Sequence, residues 1–302
     1  MASSSSSRGP SVTGALVAST LLASGRDPKL AHLVDETTLP LVERAVREVI
    51  PALGLVMDRV PWPLLTRAAR GVERILSPEF IAHYAMRKDA VRSLVREAIG
   101  EGFEQVVLVG SGFDMLSSSL PRRARIFEVD HEATLAAKRR ALEGTSAMKN
   151  ITQVAVDLDR ESLGRALAAA PRFDPRADTV YVAEGLLMYL TPDRVDAIFA
   201  DIVASSARRT RFVFTVVTPD RRGRIRLHTQ HGVVDRMMRR LDEVFTWGVA
   251  KTFLPQFLAE RGFTLREVRT TSQRLRRDTG EVILVADDAI ATRAHERALA
   301  AS

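Results

Sequence analysis

The sequence predicts a doubly wound α/β fold, and three observations predict it. From about residue 104, short β-branched runs alternate with helical stretches. The first run ends in a glycine turn, Gly110-Ser111-Gly112. An acid, Asp130, closes the second run 20 residues after Gly110. Alternation of this kind gives a parallel sheet covered by helices on both faces.

Each element is read in turn. Met1 to Pro10 is a serine tract with Arg8-Gly9-Pro10, without the apolar stretch of a secretory signal, and is expected to be a disordered tail. Residues 11–103 read as a helical N-terminal cover. Leu41, Val42, Ala45, Val46, Val49 and Ile50 recur at helical spacing. Pro51, Pro61 and Pro63 are expected to break the next piece. Ser77-Pro78-Glu79 resembles a helix cap, with a helix then running from about Pro78 to Gly100. Strands are expected at Val106–Val109, Arg125–Val129, Ile151–Val156, Thr179–Ala183 and Phe212–Val217. Helices are expected near 131–143, 160–170 and 191–208. An inserted lid is expected near 219–250, within a core spanning 104–302. A helix at Leu254–Glu260 and two strands, Thr264–Val268 and Val282–Ala286, close the chain.

Composition narrows the chemistry. The 302 residues are 46% hydrophobic and 27% charged, with no cysteine. A disulfide framework, a thiolate zinc site and a thiol nucleophile are excluded. No apolar run reaches the roughly 20 residues of a membrane span, so a cytoplasmic protein without a membrane partner is expected. The formal charge of +7 reads as a solvated basic surface. Binding of nucleic acid is not expected: aromatics are only 6%, and the arginine-rich insertion offers no stacking platform before Phe245. Asp157 and Asp159 alternate, but two acids without further ligands do not make a metal site, and none is expected.

The glycine turn lets backbone approach a ligand. Asp130 stands where a carboxylate accepts from ribose hydroxyls, with helix capping as its other reading. Met115 occupies the place of a third glycine, which argues against a bound pyrophosphate and hence against an NAD-dependent oxidoreductase. Asp157 and Leu158 end the third strand and suit an adenine, or Asp157 caps the next helix. Glu184 ends the fourth strand and faces the crevice of such sheets.

The stretches Gln105-VVLVGSGFDMLSSSL-Pro121, Phe127-EVDHEATLAAKRRAL-Glu143 and Ala183-EGLLMYLTP-Asp193 closely resemble the leucine carboxyl methyltransferase-like family, in its bacterial polyketide-type O-methyltransferase branch. The resemblance implies a class I methyltransferase (Rossmann-like) fold and S-adenosylmethionine as cofactor, with S-adenosylhomocysteine as product. It implies that Arg87 holds the cofactor carboxylate and that Gly110, Ser111, Gly112 and Asp114 line the methionine portion. It places Asp130 on the ribose, His131 near the adenosine, Asp157 and Leu158 on the adenine, and Glu184 with Gly185 near the cofactor amine. The sequence departs from the family at Leu22, at Ala90-Val91-Arg92 and at Met115.

Methyl transfer from a sulfonium is an in-line displacement that needs alignment and exclusion of water. A carboxylate acceptor is ionised at neutral pH and needs no base, whereas a phenol or amine profits from one. The acceptor side is expected to hold Tyr189, His228 and His231, with lid arginines Arg221, Arg222, Arg224, Arg226, Arg239 and Arg240 nearby. The expectation is O-methylation of a small-molecule, possibly anionic, carboxylate or hydroxyl by a monomer or homodimer. Nucleic-acid or protein-carboxyl methylation are the alternatives.

Overall fold

The computed structural model describes residues 9–205, 208–240, 243–271 and 275–289. Five helices precede the sheet: α1 (Val12–Gly25), α2 (Leu39–Val49), α3 (Pro51–Arg59), α4 (Trp62–Leu76) and α5 (Phe80–Gly100). Then come β1 (Gln105–Val109), α6 (Leu116–Ser119), β2 (Arg125–Asp130), α7 (Glu132–Leu142), β3 (Ile151–Ala155), α8 (Leu163–Ala169), β4 (Thr179–Ala183), α9 (Pro192–Ala204) and β5 (Thr210–Val217). The chain continues through α10 (Gly232–Arg240), α11 (Leu254–Ala259), β6 (Phe263–Thr270) and β7 (Glu281–Asp288).

The seven strands lie in the order β3-β2-β1-β4-β5-β7-β6. β1 to β5 are parallel, and β7 runs antiparallel to both β5 and β6. Strand order reverses between β1 and β4, so the crevice above that point is where a ligand belongs. The β-branched runs form strands because both faces are buried. Val107 and Val109 point to one face with α8, α9 and α11. Val106 and Leu108 point to the other, against α5 and α6. The cover is seated by a third cluster, in which Leu22 and Ala18 of α1 and Val42 and Ala45 of α2 meet Ala137 and Leu142 of α7.

Three local expectations change. Pro51 and Pro63 sit in the first turns of α3 and α4, where a missing N–H costs nothing, so these prolines begin helices that the sequence reading broke. Ser77-Pro78-Glu79 does not cap α5 by a side chain. Glu79 instead takes φ 67° and starts the helix by its carbonyl. The third strand ends at Ala155, short of Val156.

Beneath the glycine turn lies a buried ion pair that fixes α6 and α7 on β2. Lys138 Nζ stands 2.7 Å from Glu128 Oε1, and neither side chain is exposed. Glu128 also accepts from Ser117 Oγ and Gln153 Nε2, and Lys138 donates to the Asp114 carbonyl. Removing one partner strands a charge in the core. Lys138→Met should therefore cost about 3 kcal/mol in urea unfolding, and adding Glu128→Leu should recover part of that loss.

Candidate functional site

The site begins at the end of β1. The N–H groups of Gly110 and Ser111 both donate to the Val129 carbonyl, at 2.8 and 3.1 Å, which bends the chain sharply over β2. Gly110 has φ 69°, and a Cβ there would lie 2.8 Å from Leu186 Cδ1. The Asp130 carboxylate accepts from Gly112 N and His131 N, both at 2.7 Å. Burial pushes its pKa up against these bonds. The capping reading of Asp130 fails, because the side chain of His131 caps α7 by accepting from Ala133 N. The Ser111 hydroxyl is buried in this turn without a hydrogen-bond partner.

Beside the turn, five charged side chains alternate in sign. Glu281, at the start of β7, accepts Arg87 NH1 on both oxygens at 2.8 Å. Arg87 Nε donates to Glu184 Oε1 at 2.8 Å. Glu184 Oε2 accepts Lys88 Nζ at 3.0 Å, and Lys88 reaches Asp114 at 2.6 Å. Burial opposes the charge on Arg87, but Glu281 and Glu184 outweigh it and hold the guanidinium protonated. Burial likewise opposes Lys88, and Asp114 and Glu184 outweigh it. Burial would raise Glu281, yet Arg87 and His83 pull it down to about 2. The remaining edge of Arg87, NH2, lies against Gly185, where a Cβ would come within 3.3 Å. Gly185 has φ 67°, and its N–H donates to Thr215 Oγ1 at 2.9 Å.

These groups line one cleft of about 840 Å³ above the carboxyl ends of the strands. Over β1 to β3 its wall includes Gly110, Ser111, Gly112, Asp114, Asp130, His131, Asp157 and Leu158. Asp157 accepts from Asp159 N at 3.1 Å, while α8 is capped by Ser162, so Asp157 is not a helix cap. Over β4 and β5 the wall is more apolar, with Phe80, Met188, Tyr189, Leu227 and Phe245. Tyr189 stacks edge-on against Phe245 with centroids 5.1 Å apart. Burial raises the pKa of its phenol.

His228 and His231 do not reach this wall. His228 lies in the lid but is held away from the cleft: its N–H donates to the Thr279 carbonyl, and its ring packs on Gly280 with Nε2 3.0 Å from the Thr218 carbonyl. His231 is exposed, and its N–H donates to the Leu76 carbonyl. The lid arginines also lie off the wall. Arg224 pairs with Asp220 and Arg226 with Asp235. Sequence reasoning missed Lys88, Glu281, Tyr84 and Phe80. Lys88 stands next to Arg87 and was within reach of a motif argument; Glu281 carried no local signal.

Comparison with known proteins now bears on this geometry. The profile of the Leucine carboxyl methyltransferase family matches residues 16–203. The chain belongs to this family.

A relative in Streptomyces avermitilis, named as an S-adenosyl-L-methionine-dependent methyltransferase, is 40% identical over 135 residues, 43% of this chain and 47% of that protein. The matched segment thus spans about half the length of that relative. One in Mycobacteroides abscessus is 26% identical over 79% of this chain and 85% of its own. A methyltransferase structure from Thermobifida fusca shares the fold, with a TM-score of 0.54 and 17% identity over 94% of this chain and 96% of that one. Both relatives are named for dependence on S-adenosyl-L-methionine, the cofactor that the sequence motifs imply. The residues fit it. The open edge of Arg87 and the orphaned Ser111 hydroxyl can donate to a carboxylate, Glu184 can accept from an amine, and the Asp130 carboxylate can accept from a ribose.

Two outcomes are expected of this family member. Asp130 accepts Gly112 N and His131 N on separate oxygens and an amide keeps only one of these acceptors, so Asp130→Asn should lower the melting temperature and weaken S-adenosylhomocysteine binding at least about tenfold in calorimetry. Glu281 has a folded pKa below its ordinary value, so its stabilisation is present above about pH 4.5 and is lost as pH falls toward 2. Glu281→Gln should flatten acid unfolding over that window.

Proposed function

We propose that this protein transfers a methyl group from S-adenosylmethionine to an oxygen of a small molecule, with a carboxylate favoured over a hydroxyl. The observation that carries this reading is the acceptor end of the cleft. The cofactor-facing residues occupy the ends of β1 to β3, which leaves the wall over β4 and β5 for the acceptor. Phe80, Met188, Tyr189, Leu227 and Phe245 supply an apolar wall there, and no histidine stands among them. The buried Tyr189 phenol stays protonated, so it is a hydrogen-bond donor and not a base. Such a wall suits an acceptor that arrives already ionised.

When bound, the cofactor supplies an activated methyl on a sulfonium. The protein's own residues position and dry the site. Arg87 and Ser111 fix the methionine end, and Asp130 fixes the ribose. Phe80, Met188 and Phe245 exclude water from the reacting line, and a carboxylate stripped of its hydration shell attacks faster. Tyr189 orients the acceptor oxygen. Glu243 also lies on this wall and favours a second reading, a hydroxyl acceptor whose proton passes to that carboxylate.

Labelled cofactor and a panel of apolar acids decide between them. An ester releases labelled methanol in mild base; a base-stable product would overturn the carboxylate reading. With a carboxylate acceptor, Tyr189→Phe should lower kcat/KM by no more than about tenfold, the scale of one orienting hydrogen bond. A loss beyond about a thousandfold would instead assign proton transfer to that hydroxyl.

A further inference from the structure

The alternating chain Glu281–Arg87–Glu184–Lys88–Asp114 begins and ends on a carboxylate. Two cations and three anions sum to one negative charge. All five side chains line the cleft. His83 lies beside this chain, with Nε2 2.6 Å from Glu281 and Nδ1 2.7 Å from the Thr271 hydroxyl, and is not part of the count. The Glu128–Lys138 pair beneath is neutral as a whole.

S-adenosylmethionine carries a sulfonium, an ammonium and a carboxylate, a net charge of +1. Its demethylated product keeps the ammonium and carboxylate and is neutral. A negative cluster at the methionine end therefore favours the charged cofactor over the spent one. Without Glu281 the chain would hold two cations and two anions and sum to zero. Loss of any one of the three carboxylates has this effect on the count, and Glu281 is the one that holds Arg87 on both oxygens. It also lies beyond residue 203, outside the segment that matches the family.

Resting on the reading that this cleft binds S-adenosylmethionine, we propose that Glu281 is a specificity-determining residue whose charge makes the site prefer the cationic cofactor over its neutral product. It acts through Arg87 and through the field of the whole chain, and it lowers the product's hold on the site after transfer. One buried unit charge acting over roughly 8–10 Å, at an effective dielectric of about 20–35, changes an affinity by about five- to thirtyfold.

Calorimetry with S-adenosylmethionine, S-adenosylhomocysteine and sinefungin, which bears an ammonium in place of the sulfonium, tests this on the full chain. In Glu281→Gln the affinity ratio of either cation to S-adenosylhomocysteine should fall by about fivefold or more. In His83→Gln, which leaves the Glu281 charge in place, the ratio should stay within about twofold of wild type. Equal weakening of all three ligands in Glu281→Gln would assign the residue a merely structural role and overturn the proposal. So would a ratio that falls as far in His83→Gln. If Glu281→Gln gives no cooperative melt, the wild type decides alone: sinefungin must bind more tightly than S-adenosylhomocysteine, and equal or weaker binding overturns the proposal. Absence of heat with every ligand on the wild type would overturn the cofactor reading itself, a failure distinct from an unchanged ratio.

Discussion

The alternating ion chain is the constraint on which the site depends. Arg87 and Lys88 come from α5, Asp114 from the loop after β1, Glu184 from the end of β4 and Glu281 from the start of β7. Four separate pieces of chain meet there through paired charges, above the apolar contact of α5 with the sheet. None of the five carries its charge cheaply, since burial opposes each ion until its neighbours arrive. The cluster therefore forms only when α5 is docked on a completed sheet. The helical cover and the sheet are joined at the place where ligand binds, and seating α5 organises the site.

That arrangement also explains why several backbone positions are glycine. Gly185 passes so close to Arg87 NH2 that a side chain would crowd the guanidinium, and its positive φ suits no other residue well. Gly110 allows the turn that brings Asp130 and the Gly112 N–H together. The chain bends around charged groups already held by their partners. Such a site pays its ordering cost during folding and needs little rearrangement when ligand arrives.

Much of this was legible in the sequence because it rests on local pattern. β1 and β4 are buried at every position and so read as continuous β-branched runs. Asp130 was legible because one strand, one turn and one short helix fix its distance from Gly110. Glu281 was not legible. It enters the site only because β7 inserts between β5 and β6, and a strand's place in a sheet leaves no trace in its own residues. His228 and His231 failed for the opposite reason. Their chemistry suited an acceptor site, but Gly280 leaves room for the His228 ring beside the sheet, and His231 is tied to the end of α4.

The same division separates cofactor from acceptor. The residues at the ends of β1 to β4 that face the cofactor lie within the family-matched segment 16–203. The wall over β4 and β5, proposed for the acceptor, is composite. Phe80, Met188 and Tyr189 come from that segment, whereas Leu227, Glu243 and Phe245 come from the insertion that follows β5. Tyr189 and Phe245 meet edge to face across this boundary. The backbone reinforces the joint, because the N–H groups of Thr246 and Trp247 both donate to the Met188 carbonyl and Thr246 Oγ1 donates to that of Leu190. The insertion is thus fixed to the shared part of the fold along one edge of the pocket proposed for the acceptor. Changing its sequence can reshape that pocket while leaving the turn at Gly110 and the ions around Arg87 in place. The two walls are thus built by separate parts of the chain, so on the proposed reading the acceptor side can change while the cofactor side is kept.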